Sequence, residues 1–382
     1  MRIAILDITS RNANQYNPSL CKALVKDEND VTLLSPTLMS GDYTFSYFKL
    51  LKLVPKSWVS KVTMTKRLLR VVEVLINYML VWLYLTFNRV DVLHIQWLPF
   101  LEFSSIEKFI LKFYVITCYR TKIFLTVHNV YPHGFTNTLK QKYCNRFKEL
   151  DNCIAGYFVH LESCKSELVN DFGIDPQKIN VAYHGIYQSS DHKELYAPKD
   201  DKLRIIMYGY QDLYKGADIL VESLKLMPSD YINKIDVKIM GKTRRELMEL
   251  AKSDLSYLNI SWYPTFVSDE FLYKSISEAN LILLPYRAIS QSGVLLLALS
   301  FKKPIATSNL PSFIETLKGY EDDWFFESNN TTSLANLIKR YVDHEINIEQ
   351  QLQVIEKLNH IYSWDETAKS TIVAYKQSIE KN

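Results

Sequence analysis

The chain has 382 residues, of which 47% are hydrophobic and 23% charged, and this composition excludes a disordered or fibrous protein. Its length predicts two domains rather than one. The formal net charge of +3 is uneven, because residues 1–190 carry 22 Lys/Arg against 15 Asp/Glu. We therefore expect the first half to face an anionic partner. Five scattered cysteines without metal-ligand spacing predict reduced thiols in a cytoplasmic protein, and the N-terminal strand pattern predicts no signal peptide.

Short apolar runs alternate with helical patterns along nearly the whole chain. The predicted strands lie near 2–8, 31–35, 90–97, 122–129, 153–160, 179–185, 203–210, 235–242, 260–264, 281–286, 303–308 and 323–328. Buried strands between amphipathic helices are typical of parallel sheets. The predicted fold class is α/β, with two Rossmann-like doubly wound domains and a cleft between them, and ligands at the carboxyl ends of the strands. The predicted domains are 1–188 and 203–364, with a linker at 189–202 and a last helix at 365–382.

The segment between Asp42 and Glu73 interrupts this alternation. It contains seven Lys and Arg residues and no acid, interleaved with aromatic residues. It leads into residues 74–87, an uncharged run shorter than the ~20 residues that a membrane-spanning helix needs. We therefore expect residues 43–87 to lie on an anionic membrane surface. The alternative is a buried helix with a solvated basic flank, and nucleic acid is not expected because no recognised binding motif accompanies the basic run.

Four histidines fall at the ends of predicted strands. His128, followed by Asn129, is the candidate catalytic residue, because an imidazole can hydrogen-bond a hydroxyl or exchange a proton near neutral pH. His94 and His184 are further candidate substrate contacts, and His160 is the fourth member. For each of them the alternative is a structural histidine with satisfied hydrogen bonds. No metal site is expected, since the four come from different strands without ligand spacing.

A first strand–loop–helix unit in the second half of the chain can bind an anion. Its strand ends at Gly209, its loop carries Lys215, and Gly216 opens the next helix. Glycine allows close backbone approach, and lysine offers a point charge to a phosphate. An αβ turn with a surface lysine is the alternative interpretation.

A second unit begins with the apolar strand 281–286 and crosses a polar loop that contains Arg287. It enters an apolar helix at Ser292-Gly293. The unpaired N–H groups and the dipole of such a helix start favour an anion. Many buried strand–loop–helix units share this pattern without binding a ligand.

Together the two units resemble the donor half of a GT-B glycosyltransferase, most closely the retaining group called family four. The resemblance rests on Tyr208-Gly209, Tyr214-Lys215-Gly216, Pro285-Tyr286-Arg287 and Gln291-Ser292-Gly293-Val294. Further similar segments follow in order, at 265–267, 303–307, 311–315 and 362–364. The similarity covers essentially the whole chain and is strongest from 203 to 318.

The resemblance implies a role for each matched residue. Lys215 contacts the donor diphosphate, the amides around Ser292, Gly293 and Val294 hold the distal phosphate, and Gly209 makes room for the donor. The donor-binding set implied is Gly209, Lys215, Gln291, Ser292, Gly293, Val294 and Glu315, and the catalytic residues are His128 and Lys215. Asn129, His94, His184 and Arg287 are further contacts to the donor or acceptor, although Arg287 can equally cap its loop.

Two positions depart from the pattern of the group that the chain resembles. Asp212 stands where an arginine is common, three residues before Lys215. Ile289 and Leu297 stand where paired glutamates are common. Members with the Gln-Ser-Gly-Val variant also lack these acids, so the contacts to the ribose and the sugar hydroxyls are left unassigned.

The expected function is hexosyl transfer, with mannose as one option, from a GDP- or UDP-linked sugar to a lipid-linked or glycan acceptor in bacterial surface polysaccharide synthesis. The enzyme is expected to be retaining and metal-independent, to use no cofactor beyond its substrate, and to sit on the cytoplasmic face of the membrane. One alternative is a catalytically silent subunit that binds a nucleotide sugar or supports a partner transferase. Another is a sugar-nucleotide epimerase, which needs acids in the cleft that the sequence does not reveal.

Overall fold

The computed structural model describes residues 1–10, 15–38, 41–53, 64–132, 137–186, 201–289 and 291–380. The chain divides into two compact units. Unit 1 comprises Met1–Gly185 and Tyr362–Asn382, and unit 2 comprises Ile186–Ile361. These divisions lie within three residues of the predicted domain ends at 188 and 364. Most of the predicted linker, from 189 to 200, lies outside the described residues.

The described residues of unit 1 form a sheet of seven parallel strands. The strands are β1 (Arg2–Leu6), β2 (Asp30–Ser35), β3 (Ser46–Lys49), β4 (Val92–Ile95), β5 (Lys122–Thr126), β6 (Gly156–Val159) and β7 (Ile179–Val181). Their order is β3-β2-β1-β4-β5-β6-β7. Because the strand order reverses at β1, the topological switch point lies between β1 and β4, where open α/β sheets bind ligands.

Five helices flank this sheet before the chain leaves unit 1. They are α1 (Tyr16–Val25), α2 (Met64–Asn88), α3 (Ile106–Thr117), α4 (Asn137–Leu150) and α5 (Glu162–Phe172). Helix α2 places Val74, Tyr78, Val81 and Leu85 in the core at a spacing of three and four residues. This spacing aligns the four side chains along one helical face, so α2 packs lengthwise on the sheet.

Unit 2 contains a second parallel sheet, of six strands in its described residues. They are β8 (Leu203–Tyr208), β9 (Ile235–Met240), β10 (Ile260–Tyr263), β11 (Leu281–Leu284), β12 (Ile305–Ser308) and β13 (Phe325–Phe326). The order β10-β9-β8-β11-β12-β13 puts its switch point between β8 and β11. The four residues of β11 are all buried, which is typical of a strand covered on both faces.

The helices of unit 2 alternate with its strands. They are α6 (Ala217–Lys225), α7 (Ser229–Ile232), α8 (Met248–Lys252), α9 (Asp269–Glu278), α10 (Gly293–Ser300), α11 (Pro311–Thr316), α12 (Thr331–Val342) and α13 (Ile348–Ile361). The chain then returns to unit 1 as α14 (Trp364–Glu380), which packs against α1. Ala368, Ile372 and Tyr375 of α14 enter the same core cluster as Ile3 and Ile5 of β1.

All twelve predicted strands are present, with their ends shifted by a few residues. Strand β3 was not predicted. It is an edge strand with no buried residue, so the apolar run that marks the other strands is missing. It lies in the basic, aromatic segment that was assigned to a membrane surface.

Candidate functional site

The two predicted anion-binding loops of unit 2 meet at the switch point between β8 and β11. Gly209 has a φ of +98°, and a Cβ atom there would lie 2.9 Å from Lys215 Nζ and 3.1 Å from Val294 Cγ2. A side chain at this position would therefore displace Lys215 or Val294. The structure brings together three of the predicted donor-binding residues at this point.

Gly216 allows the first loop to pack closely against the second. Its φ is +74°, and a Cβ atom would lie 1.9 Å from the Pro285 carbonyl oxygen. The residue ends the 3₁₀ turn Leu213–Lys215 and caps the start of α6. Only glycine allows this approach together with the left-handed conformation.

Lys215 is a nearly buried cation, with 5% of its surface exposed. Burial lowers the pKa of its ammonium group to about 8, and the Asp212 charge opposes this change. Its Nζ atom lies 5.2 Å from the centroid of the Tyr286 ring. Among the described residues no ion-pair partner holds it. A desolvated cation of this kind is available for an anionic ligand.

The start of α10 provides backbone donors beside this lysine. Ser292 is the N-cap, and its Oγ accepts a hydrogen bond from Leu295 N at 3.2 Å. Gly293 is exposed, and a Cβ atom there would meet nothing within 4 Å. The helix end is therefore capped, open on one side, and positive. Gln291 lies half-buried just before it.

Arg287, predicted as a contact to the donor or acceptor, is instead part of the loop framework. Its guanidinium forms two bonds to the Asp218 carboxylate, at 2.8 and 2.7 Å, and a third to the Leu213 carbonyl at 2.6 Å. A fourth joins its Nε to Asn329 Oδ1 at 2.9 Å. These contacts hold the turn that carries Lys215, as the capping alternative anticipated.

Asp212, where an arginine was expected, also stabilises this turn. Its Oδ1 accepts from Leu213 N at 2.7 Å and from Arg244 Nη1 at 2.9 Å. Arg244 follows β9 and lies 32 positions after Asp212, so no local pattern indicates this pairing. A cation is thus present beside Asp212, but it comes from another loop.

The remaining predicted positions of unit 2 lie on the same edge. The Ile289 carbonyl accepts from Ser312 Oγ at 2.8 Å, which ties the β11 loop to the start of α11. Glu315 is half-buried on α11. Leu297 is half-buried within α10, about one turn after its start.

In unit 1 the predicted histidines form a cluster rather than an open site. His160 Nδ1 lies 2.8 Å from the Ala182 carbonyl oxygen, and its Nε2 lies 3.2 Å from His128 Nδ1. Burial lowers the pKa of His160 to about 4, and burial with the neighbouring histidines lowers the pKa of His128 well below its usual value. Both rings are therefore neutral at pH 7.

The hydrogen bonds fix the tautomers of these two rings. A carbonyl only accepts, so His160 Nδ1 carries the hydrogen and His160 Nε2 accepts from His128 Nδ1. His128 Nε2 is then an acceptor and needs a donor 3.2 Å away at the Gln96 amide. The structure places Gln96 Oε1 at this position, and turning the amide by about 180° presents its Nε2, which has no partner among the described residues, as that donor. Both nitrogens of His128 are thus occupied within unit 1, which is the satisfied arrangement weighed as its alternative.

His94 is a structural residue in this arrangement. It is 1% exposed, with its ring nitrogens beside Tyr375 Oη at 2.5 Å and Thr126 Oγ1 at 2.6 Å. His184 is half-buried, and its Nδ1 donates to the Gly185 carbonyl at 2.7 Å. Asn129 is half-buried directly after His128.

Two aromatic residues complete the cluster and were not predicted as part of it. The Tyr16 ring lies 4.8 Å from those of His128 and His184 and 5.2 Å from that of Trp364. Gly185 permits this packing, since a Cβ atom there would lie 2.3 Å from the Trp364 ring. Tyr16 sits far from the histidines in sequence, and no local pattern distinguishes it from a core residue.

One cavity of unit 2 lies away from these loops. It has a volume of about 890 Å³ and is lined by Leu203, Asn280 and Pro304, at the amino ends of β8, β11 and β12. The donor loops occupy the carboxyl ends of the same strands. No group of three or more His, Cys, Asp or Glu able to hold a metal is found in the described part of the chain.

Comparison with known proteins gives a family match in the second half of the chain. The family model described as "Glycosyl transferases group 1" matches residues 188–358. An uncharacterized glycosyltransferase of Methanocaldococcus jannaschii is 22% identical over 236 residues, 57% of this chain and 59% of that protein. The GDP-mannose:glycolipid 4-beta-D-mannosyltransferase of Xanthomonas campestris pv. campestris is 28% identical over 106 residues, 27% of this chain and 29% of that protein. The chain thus aligns with less than two thirds of the length of either relative.

Solved structures resemble the whole chain. A glycosyltransferase from Rickettsia africae has a TM-score of 0.70 at 16% identity, covering 100% of this chain and 99% of that one. Sucrose-phosphate synthase from Thermosynechococcus elongatus has a TM-score of 0.72 at 14% identity, with 100% of both chains covered. HepE of Anabaena in complex with UDP-glucose has a TM-score of 0.62 at 12% identity, covering 100% and 99%.

The two parallel sheets and these neighbours define a GT-B fold with two Rossmann-like domains. Within it, the match to the glycosyl transferases group 1 model lies in unit 2.

Proposed function

We propose that the protein is a glycosyltransferase that takes a hexose from a nucleoside-diphosphate sugar. The observation that carries the proposal is the convergence of Lys215, Gly209 and the α10 start at the switch point of unit 2. Two relatives support a nucleotide-sugar donor, since HepE binds UDP-glucose and the Xanthomonas enzyme uses GDP-mannose.

The chemistry proposed for this site is stabilisation of the leaving diphosphate. Negative charge grows on the distal phosphate as the sugar–oxygen bond breaks. Lys215 and the amides of Ser292, Gly293 and Val294 are fixed before this happens, so they gain interaction energy in the transition state without reorganising. We propose a retaining reaction in which these groups, rather than a metal ion, neutralise the leaving group.

Lys215→Ala tests this role. We expect turnover to fall by ~10²-fold or more in an assay of UDP or GDP release from the donor. Lys303→Ala is the matched control, because Lys303 is another half-buried lysine whose pKa burial lowers, but its Nζ bonds to the Ser277 carbonyl elsewhere in unit 2. Near-wild-type turnover in Lys215→Ala contradicts the role.

The second candidate is a catalytically silent subunit that binds a nucleotide sugar or supports a partner transferase. The observation that favours it is the engagement of both His128 nitrogens within unit 1. Calorimetry combined with a donor-turnover assay separates the two, since nucleotide binding without any turnover supports the silent subunit.

We further propose that unit 1 docks on the cytoplasmic face of the membrane. Helices α2 and α3 each present an exposed apolar stripe, and together these form the α2–α3 face, made of Leu68, Val72, Leu75, Met79, Phe109, Phe113 and Ile116. The stripes follow the helical spacing of three and four residues. Trp82 joins the helices through a 3.0 Å bond to Thr117 Oγ1.

Charge favours an anionic lipid surface as the partner of this face. Arg67, Arg70 and Lys112 are exposed on the two helices, whereas their only acids, Glu73 and Glu107, are buried. Helix α2 also contains a segment, Arg67–Asn88, that is long and apolar enough to cross a membrane, with 28% of its most apolar stretch buried. Because Val74, Tyr78, Val81 and Leu85 already pack on the sheet, we propose that the helix lies on the membrane. The five free cysteines suit a reducing compartment.

Vesicle flotation tests the docking. We expect binding to phosphatidylglycerol vesicles that weakens with salt, and a loss of about tenfold or more in Phe109→Ser/Phe113→Ser. Phe266→Ser, at a residue of unit 2 that is 84% exposed, is the control. We expect neutral substitutions at Lys49 and Lys52 to weaken vesicle binding further. Lys56 belongs to the same predicted basic segment and lies outside the described residues. Absence of binding to anionic vesicles contradicts the docking proposal.

A further inference from the structure

A second cavity, of about 640 Å³, opens at the switch point of the unit 1 sheet. Its walls come from residues that follow three neighbouring strands: Ser10 after β1, Pro36 after β2, and Trp97 and Phe100 after β4. The start of α2 and the segment that holds Lys52 close its other side. This is the place where an open parallel sheet binds a ligand.

Buried polar side chains of α2 hold the basic wall in place. Asn77 is fully buried and pairs with the Leu51 backbone, accepting from its N at 2.8 Å and donating to its O at 3.0 Å. Glu73 accepts from Leu53 N at 2.5 Å. These bonds hold residues 51–53 against α2, so that Lys52 and Arg70 line the same cavity. The two cations are exposed, and a phosphate can reach them.

A buried carboxyl group holds the aromatic wall. Glu107 is 1% exposed, and its Oε1 accepts from Phe100 N at 3.1 Å and from Tyr78 Oη at 2.6 Å. Phe100 and Trp97 are half-buried and form an apolar surface on which a sugar ring can stack. Glu102 also lines the cavity and offers an acceptor to sugar hydroxyls.

The cavity connects two features already described. Its lining residue Trp97 directly follows Gln96, the hydrogen-bond partner of His128. Val71 and Phe103, also in its wall, are exposed apolar residues next to the α2–α3 face, with exposures of 39% and 74%. A ligand there can have its polar head beside Trp97 and an apolar tail toward Val71 and Phe103.

We propose that this cavity binds the phosphorylated head of a lipid-linked acceptor. Lys52 and Arg70 bind the phosphate, Trp97 and Phe100 pack against the sugar, and the lipid chain leaves past Val71 and Phe103. This assignment rests on the proposed transferase function and names the acceptor class that the site takes.

Calorimetric titration with geranyl diphosphate, geraniol and inorganic diphosphate tests the proposal without any donor or turnover. We expect geranyl diphosphate to bind at least about tenfold more tightly than either fragment. Lys52→Met/Arg70→Met is expected to weaken this binding by about tenfold or more. Arg120→Met/Lys142→Met removes two exposed cations that lie outside the cavity and outside the α2–α3 face, and it is expected to change the binding by less than about twofold.

Three other results overturn the assignment, and a fourth separates it from the transferase proposal. Inorganic diphosphate binding as tightly as geranyl diphosphate indicates a plain anion site, and equal losses in both double variants indicate attraction to the general charge of unit 1. No binding of geranyl diphosphate to a protein that binds UDP or GDP removes the acceptor site but leaves the transferase proposal intact. Binding of geranyl diphosphate to a protein that binds neither nucleotide supports the cavity and removes the transferase.

Discussion

The switch-point edges of the two units differ in how their polar groups are satisfied. In unit 2, Lys215 is buried and has no ion-pair partner in the described part of the chain, and the α10 start is open at Gly293. In unit 1, His128, His160 and Gln96 satisfy one another. A sheet edge with an available cation and available backbone N–H donors can bind an anionic ligand. A closed chain of hydrogen bonds instead holds the loops of the edge in place. We therefore propose the donor site in unit 2, and the histidines are not among the residues that line the proposed acceptor cavity.

The largest expected effect on stability is a difference between substitutions at two glycines of the unit 2 site. Gly216→Ala forces a Cβ atom onto the Pro285 carbonyl at a left-handed position, and we expect it to lower the free energy of unfolding by about 2–4 kcal/mol. Gly293→Ala meets open space, and we expect a change within about 0.5 kcal/mol but roughly tenfold weaker nucleotide binding. Urea unfolding and calorimetry measure the two quantities. Equal stability of both variants contradicts the described packing.

A buried acid of unit 1 gives the next largest effect. Burial raises the pKa of Glu107 to about 7. Between its unfolded value of about 4.3 and this value, the folded state holds a proton that the unfolded state has lost. The free energy of unfolding therefore falls as pH rises through this window, by up to ~1.4 kcal/mol per pH unit.

We expect Glu107→Gln to remove that slope in urea unfolding followed from about pH 5 to about pH 8. The exposed Glu149, exchanged for Gln, is the control and should keep it. A slope that survives in Glu107→Gln assigns the titration to another group.

The Arg287–Asp218 ion pair tests whether side-chain contacts hold the turn that carries Lys215. Its two parallel bonds predict a coupling energy of about 1 kcal/mol or more in a double-mutant cycle with Arg287→Lys and Asp218→Asn. The exposed pair Lys225–Glu222 serves as the reference and is expected to give a smaller coupling energy, because solvent screens it. Equal coupling in the two pairs shows that Arg287 does not organise the turn.

The smallest effect concerns the histidine tautomers. The hydrogen-bond chain places the hydrogen on Nδ1 in both His128 and His160. Nitrogen NMR of the ring atoms should show this Nδ1–H form at pH 7, and His160→Gln should shift the equilibrium of His128 toward Nε2–H. An Nε2–H signal for His128 in the unaltered protein contradicts the chain.

Local patterns predicted much of unit 2 and less of unit 1. The loops around Lys215 and Gly293 are contiguous in sequence, so their geometry follows from strand ends, glycines and a helix cap. The contacts of Arg287 with Asp218 and of Asp212 with Arg244 join separate loops, and no pattern within one loop encodes them. His128 was predicted to be catalytic because it ends a strand, is followed by Asn129 and carries an imidazole that can exchange a proton, and only the packed structure shows that His160 and Gln96 contact its nitrogens.

The central claim is that Lys215 and the start of α10 hold the diphosphate of a nucleotide sugar. Calorimetric titration of UDP and GDP into the protein and into Lys215→Ala, at about pH 7 and about pH 9, tests it most directly. Because burial lowers the pKa of Lys215 to about 8, we expect binding to be constant below that pH and to weaken above it, by at most tenfold per pH unit. The account predicts that one nucleotide binds and that the alanine variant loses both the affinity and this pH dependence. Nucleotide binding that is unchanged in Lys215→Ala, or absent from the unaltered protein, contradicts it.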